Sequence, residues 1–214
     1  MALSNSSVLW GSGARSLHWL MAILIVVLGI VGLYMAGLPN SPDKIRIYAI
    51  HKSVGLTVLA LAILRLLWRL GNRRPTDLPM PAWQAWSAHA VHGLLYVLMF
   101  ALPLSGWLYN SASGYPLQWF WTVQLPSLTG GADPALKPIA HAIHEWGFYV
   151  LGALVIAHAG AALRHHFVDR DETLLRMLPG LRRFRAEPPA TTSSSLPNIE
   201  KHPSATATIP ENKP

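Results

Sequence analysis

Four apolar runs, each close to the length of a membrane span, constrain this chain more than any other feature. They cover residues 17–38, 47–70, 86–109 and 139–163. A helix needs about 20 apolar residues to cross the hydrocarbon core. Lipid offers the backbone no hydrogen-bond partners, so each run is predicted to be a helix. Pro103 lies inside the third run and predicts a kink there. At 214 residues a single domain is expected. The predicted fold class is therefore all-α, an integral membrane four-helix bundle. Arg15 followed by an apolar stretch has the outline of a signal peptide. At about 20 residues the stretch exceeds the roughly 7–15 of a signal-peptide core, so it reads as a retained first span.

Charge gives the orientation. The net charge is +7, with the cations at the ends of the apolar runs rather than in a patch suited to nucleic acid. An even number of spans puts both termini on one side. That side carries Arg15, Arg65, Arg69, Arg73, Arg74, Arg164, Arg170, Arg176, Arg182, Arg183 and Arg185, and the other only Lys44, Arg46, Lys52 and Lys137. Lys and Arg mark the cytoplasmic side, so both termini are predicted to be cytoplasmic and the chain to be a multi-pass membrane protein. Trp19, Trp68, Trp83 and Trp86 are expected at the inner interface, and Trp107, Trp119, Trp121 and Trp146 at the outer one. Residues 1–14 form a short cytoplasmic N-terminus. Residues 181–214, rich in Pro, Ser, Thr and Ala, bury too little to offset their ordering entropy and read as a disordered cytoplasmic tail.

The chain has no cysteine, which removes disulfides, thiolate metal sites, iron–sulfur clusters and covalent c-type haem attachment. Histidine remains. Ionisable groups within spans are costly and point to function, and four of the ten histidines, His18, His51, His144 and His158, sit in spans or at their ends. His144 and His158 are 14 residues apart on the fourth run. At about 100° per residue they fall within roughly 40° of one face, and at 1.5 Å per residue they lie about 21 Å apart along the axis. One helix thus offers two imidazoles to one bundle interior at different depths. By depth His18 pairs with His158 toward the inner side, and His51 pairs with His144 toward the outer side. A haem held between two helices by one His from each is a recurrent use of a bundle core. An iron with both axial positions filled suits electron transfer better than oxygen binding. The rival reading of these histidines is a zinc site or proton pathway, but the spans hold almost no Asp or Glu to complete one.

Other residues are less committed. Gly55 and Gly147, each about one turn beyond a paired His, could relieve a flat macrocycle or serve helix packing. His89 and His92 are three apart at the start of the third run and read more readily as interfacial than as part of a quinone or propionate site. His165 and His166 belong with the basic residues after the fourth run, and His141 reads as a solvent-facing neighbour of His144. Arg65, one turn inside Arg69, is expected to pair either with a haem propionate or with a lipid headgroup.

The ordered set of segments resembles the bacterial cytochrome b561 family over about residues 14–180. It comprises "LHWLMA" at His18, "HKSVG" at His51, "LRLLWRL", "AHAVHGLLY", "ALPLSGWL", "IHEWGFYVLGALVIAHAGAALRHHF" and "DETLLRMLP". The resemblance implies two haem b groups between four helices, in a domain over 15–180. The iron would be held axially by His18 with His158 and by His51 with His144. It also implies quinone as a redox partner, with an activity such as superoxide:ubiquinone oxidoreductase. An alternative is an electron-transfer b subunit that anchors a dehydrogenase or hydrogenase, and a remote one is a non-haem metal carrier. The expected partners are membrane lipid, quinone and superoxide. Ascorbate chemistry, found in six-span namesakes, does not carry over to four spans.

Overall fold

The computed structural model describes residues 3–7 and 9–178. The expected tail over 181–214 lies outside the described residues. Four helices dominate: α1 (Ser12–Ala36), α2 (Pro42–Gly71), α3 (Ala82–Ala112) and α4 (Leu136–Phe167). All four are long and apolar enough to cross a membrane. The helices overrun the apolar runs because their ends carry polar residues that stop hydropathy but not helix formation. α2 starts where sequence dictates: the Ser41 hydroxyl accepts from the Lys44 N–H (3.2 Å), with Pro42 and Asp43 in the first turn. The Lys44 ammonium reaches back to the Leu38 carbonyl (2.6 Å) just beyond α1. α3 runs as one helix through Pro103.

Burial is inverted relative to a soluble protein. The core that links the helices is small: Met21, Val58 and Ala62, with Leu24, Ile25, Leu28, Leu61, Met99 and Phe100 packed around them. Large apolar side chains such as Ile23, Ile30, Leu67 and Ile156 point outward. In water so continuous an apolar surface would aggregate, whereas in lipid it is the expected exterior. The chain is an all-α integral membrane bundle. Close backbone packing joins α1 with α2, α2 with α3, and α3 with α4.

The connection between α3 and α4 holds an element the sequence did not suggest, a hairpin of β1 (Leu117–Trp119) and antiparallel β2 (Val123–Leu125). Its turn closes with a Thr122 N–H to Trp119 carbonyl bond (3.0 Å). The two central residues, Phe120 (φ 44°) and Trp121 (φ 60°), are both left-handed. Such turns favour Asn-Gly, and Phe-Trp gives no such signal. The hairpin is bolted to α2. The Phe120 N–H donates to the Ser53 hydroxyl (2.9 Å), which lies within hydrogen-bond distance of the Gln118 and Ala49 carbonyls. The Trp119 indole N–H donates to the Thr57 hydroxyl (3.1 Å).

At the opposite end of the bundle, where α1 begins and α4 ends, residues 171–178 pack across the helices. The Trp19 indole N–H donates to the Met177 carbonyl (2.8 Å), and Arg15 Nη1 donates to the Leu178 carbonyl (3.3 Å). Trp68 lies against Gly13, where an added Cβ would come within 2.7 Å of its ring. Trp19 and Trp68 are thus partly buried packing groups, whereas Trp83 and Trp86 are exposed as expected of a rim.

Candidate functional site

The four histidines expected to pair do meet. At the hairpin end, His51 of α2 faces His144 of α4 with ring centroids 6.3 Å apart and planes at 77°. At the terminal end, His18 of α1 faces His158 of α4 at 6.1 Å, again at 77°. α4 therefore supplies one ring to each pair, as its helical phase requires.

The donor chemistry can be tested against haem. A metal–imidazole bond of about 2 Å plus about 1 Å from nitrogen to ring centre, taken twice, separates two axial imidazoles by about 6 Å. Both pairs match. His144 is also oriented for ligation. Its Nδ1 lies 2.9 Å from the Leu102 carbonyl and 3.2 Å from the Ser105 hydroxyl. A carbonyl only accepts, so Nδ1 carries the proton, and Nε2 keeps the lone pair that a metal needs. The buried Nδ1 of His51 has no hydrogen-bond partner among the described residues. Both rings of this pair rest on glycine. A Cβ on Gly106 would lie 3.2 Å from His144 Cε1, and one on Gly32 would lie 3.4 Å from His51 Cε1. These residues fit a haem.

The glycines singled out from sequence behave differently from each other. A Cβ on Gly147 would meet Leu102 Cδ2 at 3.0 Å, which makes Gly147 a packing contact between α4 and α3. Gly55 has open space beside it.

The remaining histidines separate in a way their spacing hid. His92 stands with the terminal-end pair, its ring centroid 5.0 Å from that of His158. That distance is too short for a shared iron by the reckoning above, so His92 is a neighbour of the pair. His89, three residues earlier, donates to the Ala85 carbonyl (2.6 Å) and lies 3.8 Å from Asp77 in an exposed position. His141 stands beside Tyr109 and Glu145 and is exposed. His165 is not part of a solvated basic rim. Its Nδ1 lies 2.6 Å from Asp171 and 3.4 Å from Asp169, which tethers the 171–178 segment to α4. The Asp171 carboxyl is raised by its burial, but hydrogen bonds from Thr173 and His165 outweigh this and hold it below its ordinary range.

Arg65 lies beside Tyr96. Its Nε donates to the Tyr96 hydroxyl (3.2 Å), and Arg69 stacks over the same ring at 5.1 Å. Tyr96 was not singled out from sequence, although it follows His92 by one helical turn on α3. Ser105 and Ser53 were also missed, because serines in spans carry no distinctive spacing. Lys52 is half-buried and donates to the Asn110 side-chain carbonyl (3.0 Å), while Arg46 is exposed. Among the described residues, no group of three His, Cys, Asp or Glu side chains is placed to hold a bare metal ion.

A membrane bundle presenting two stacked pairs of imidazoles is the frame of a b-type cytochrome, a membrane electron carrier. The chain belongs to the prokaryotic cytochrome b561 family, whose model matches residues 9–180. It is 32% identical to cytochrome b561 homolog 2 of Escherichia coli K12, over 83% of this chain and 95% of that protein. It is 30% identical to the probable superoxide oxidase CybB of Yersinia pestis, over 76% and 92%. A more distant relative, at 24% over 78% and 87%, is the probable Ni/Fe-hydrogenase 1 B-type cytochrome subunit of Escherichia coli K12.

Proposed function

We propose that the chain is a superoxide:ubiquinone oxidoreductase of the bacterial inner membrane with two haem b groups. His18 and His158 would hold one, and His51 and His144 the other. The observation that carries this reading is the pair of ring separations, 6.1 and 6.3 Å, each suited to one iron between two imidazoles. The domain is 15–180, with 181–214 as a cytoplasmic tail. The concentration of Arg at the terminal end supports cytoplasmic termini.

Haem held by two imidazoles accepts and gives up one electron at a time without opening a site for oxygen. The rest is work for the protein. Leu102 and Ser105 fix the proton and orientation of the His144 ring. Lys52 and Arg46 put positive charge at the hairpin end. The Lys52 bond to Asn110 leaves that charge in place, because its partner is a neutral amide. Such charge draws a small anion toward encounter. Each superoxide loses one electron and becomes O2. Two such electrons and two protons convert one ubiquinone to ubiquinol. The similarity to a probable superoxide oxidase supports this donor. Similarity to hydrogenase cytochrome subunits supports a second reading, a subunit relaying a partner's electrons. Co-purification of a stoichiometric dehydrogenase would favour it.

The test is a reduced-minus-oxidised spectrum with haem counted per chain, for wild type, His144→Ala and His158→Ala. The expected result is two b haems in wild type and loss of a different one in each variant. Wild-type protein should also reduce ubiquinone from a superoxide source, more slowly when Arg46→Glu reverses the surface charge. One haem, or haem loss indifferent to which histidine is changed, refutes the ligand assignment.

A further inference from the structure

One pocket lies outside the imidazole pairs, at the hairpin end of the bundle. It holds about 130 Å3 and is lined by Ala49 and Lys52 of α2 and by Pro116, Gln118 and Trp121 of the hairpin region. Lys52 follows His51 on α2 and the other lining residues belong to the hairpin region, so the pocket lies at the same end of the bundle as the His51–His144 pair. We propose that this pocket receives the head ring of the quinone. The inference rests on the quinone-reducing reading above and gives it a location.

The lining matches a flat ring with oxygens at its edge. Ala49, Pro116 and the Trp121 indole supply apolar wall, and Lys52 and Gln118 supply polar groups. The exposed lining is divided almost evenly between polar and apolar surface, and placed polar groups are what fix a small ligand's orientation. The ammonium has three donors, and the bond to Asn110 uses one. A second can reach a quinone oxygen, which gains negative charge as electrons arrive, so the contact strengthens on reduction. A diatomic anion would use the charge but not the flat walls. The volume admits one ring, well short of a drug-sized ligand.

The hairpin is held in this position against its own preference. Phe120 and Trp121 both sit in the left-handed region without being glycine. Strain of this kind persists where surrounding contacts over-determine it and tends to mark ligand sites. Here the contacts are the Ser53 and Thr57 bonds, which keep the strand leading into Trp121 on α2. The turn sets the indole at the pocket wall.

The test uses the full chain loaded with haem. An azido-substituted short-chain ubiquinone is photolysed on the wild-type protein and the labelled peptides are mapped. Affinity for unmodified short-chain ubiquinone is then measured for wild type, Lys52→Gln, Trp121→Ala and Trp121→Phe, each first checked for the wild-type haem spectrum. Label should fall on peptides containing 49–52 and 116–121. Lys52→Gln should weaken binding about tenfold or more, the scale of a hydrogen bond to a charged group. Trp121→Ala should weaken it comparably, and Trp121→Phe should stay within about twofold because a flat wall remains. Label confined to the terminal end around 65–96, or unchanged affinity in both Lys52→Gln and Trp121→Ala, overturns the proposal. Superoxide-driven quinone reduction by a wild type whose pocket is never labelled overturns the pocket alone. Labelling of the pocket in a protein that takes no electrons from superoxide supports the pocket and overturns the donor.

Discussion

Ser53→Ala is the perturbation that best tests how the hairpin is held. The Ser53 side chain is almost fully buried, at 1% exposure. Its oxygen accepts the Phe120 N–H at 2.9 Å, and its proton is shared between the carbonyls of Ala49 (2.9 Å) and Gln118 (3.3 Å). Alanine removes the acceptor and leaves the Phe120 N–H unpaired at the hairpin–helix contact, at a cost of about 1–3 kcal/mol. A second force acts in the same direction. Two non-glycine residues in the left-handed region carry roughly 1–2 kcal/mol of strain each, which an undocked hairpin can release. With Ser53 gone, the Trp119–Thr57 bond and the packing of β1 must oppose that release. The docked state should therefore weaken by about 5- to 150-fold relative to the undocked one, at 1.4 kcal/mol per factor of ten. Amide hydrogen exchange of the purified protein reads this directly. Exchange across residues 117–125 should accelerate by that factor, while the middle of α2 and α4 stays at wild-type rates. Unchanged hairpin exchange would show that the hydroxyl is not the bolt. Uniform acceleration through all four helices would show that Ser53 stabilises the bundle as a whole, and would refute the local argument.

Gly106→Val places a side chain where even Cβ would lie 3.2 Å from the His144 ring. The ring should be displaced and the haem per chain should fall from two toward one, while wild-type stoichiometry would mean that His144 can retreat without losing its ligand geometry. Ser105→Ala leaves the Leu102 carbonyl on His144 Nδ1, so both haems should remain and stability should fall by no more than about 1 kcal/mol. Loss of a haem would show that the hydroxyl, not the carbonyl, orients the ring. The Asp171 carboxyl is held below its ordinary range, so its tether stabilises the native state above the usual carboxylate pKa and is lost as pH falls through the depressed value. Proteolytic cleavage near 171–178 should speed up below about pH 4, and Asp171→Asn should remove that step; an identical acid response in the variant would assign it elsewhere.

What could be read from sequence was whatever depends on one helix at a time. Run lengths gave the four spans because the bilayer fixes the length. The two rings on α4 share a face because 14 residues bring a helix nearly back into phase, and the bundle does set a partner opposite each. The same arithmetic failed for His89 and His92. Three residues apart, they seemed to belong to one environment. Their rings are separated by where α3 leaves the bundle, a property of its neighbours: His92 is far enough along to meet His158, and His89 lies exposed beside Asp77 and its own helix.

The hairpin failed for a different physical reason. Its turn violates local preference, and what holds it is a hydroxyl more than 60 residues away. Local preference and native structure disagree most often where a function needs the strained arrangement. The disagreement here falls beside Lys52, which is half-buried and donates to the Asn110 side-chain amide. From sequence, Lys44, Arg46, Lys52 and Lys137 were the cations of one side, with Lys52 and Arg46 nearest His51. In the structure Lys44 donates to the Leu38 carbonyl just beyond α1, Arg46 stays in the open and Lys52 lines the pocket. Arg46 and Lys52 both attract an anion at long range but only Lys52 is placed to bind a ring at short range, so Arg46→Glu should slow superoxide encounter in a salt-dependent way while leaving quinone affinity unchanged. Equal loss of both in Arg46→Glu would contradict that division.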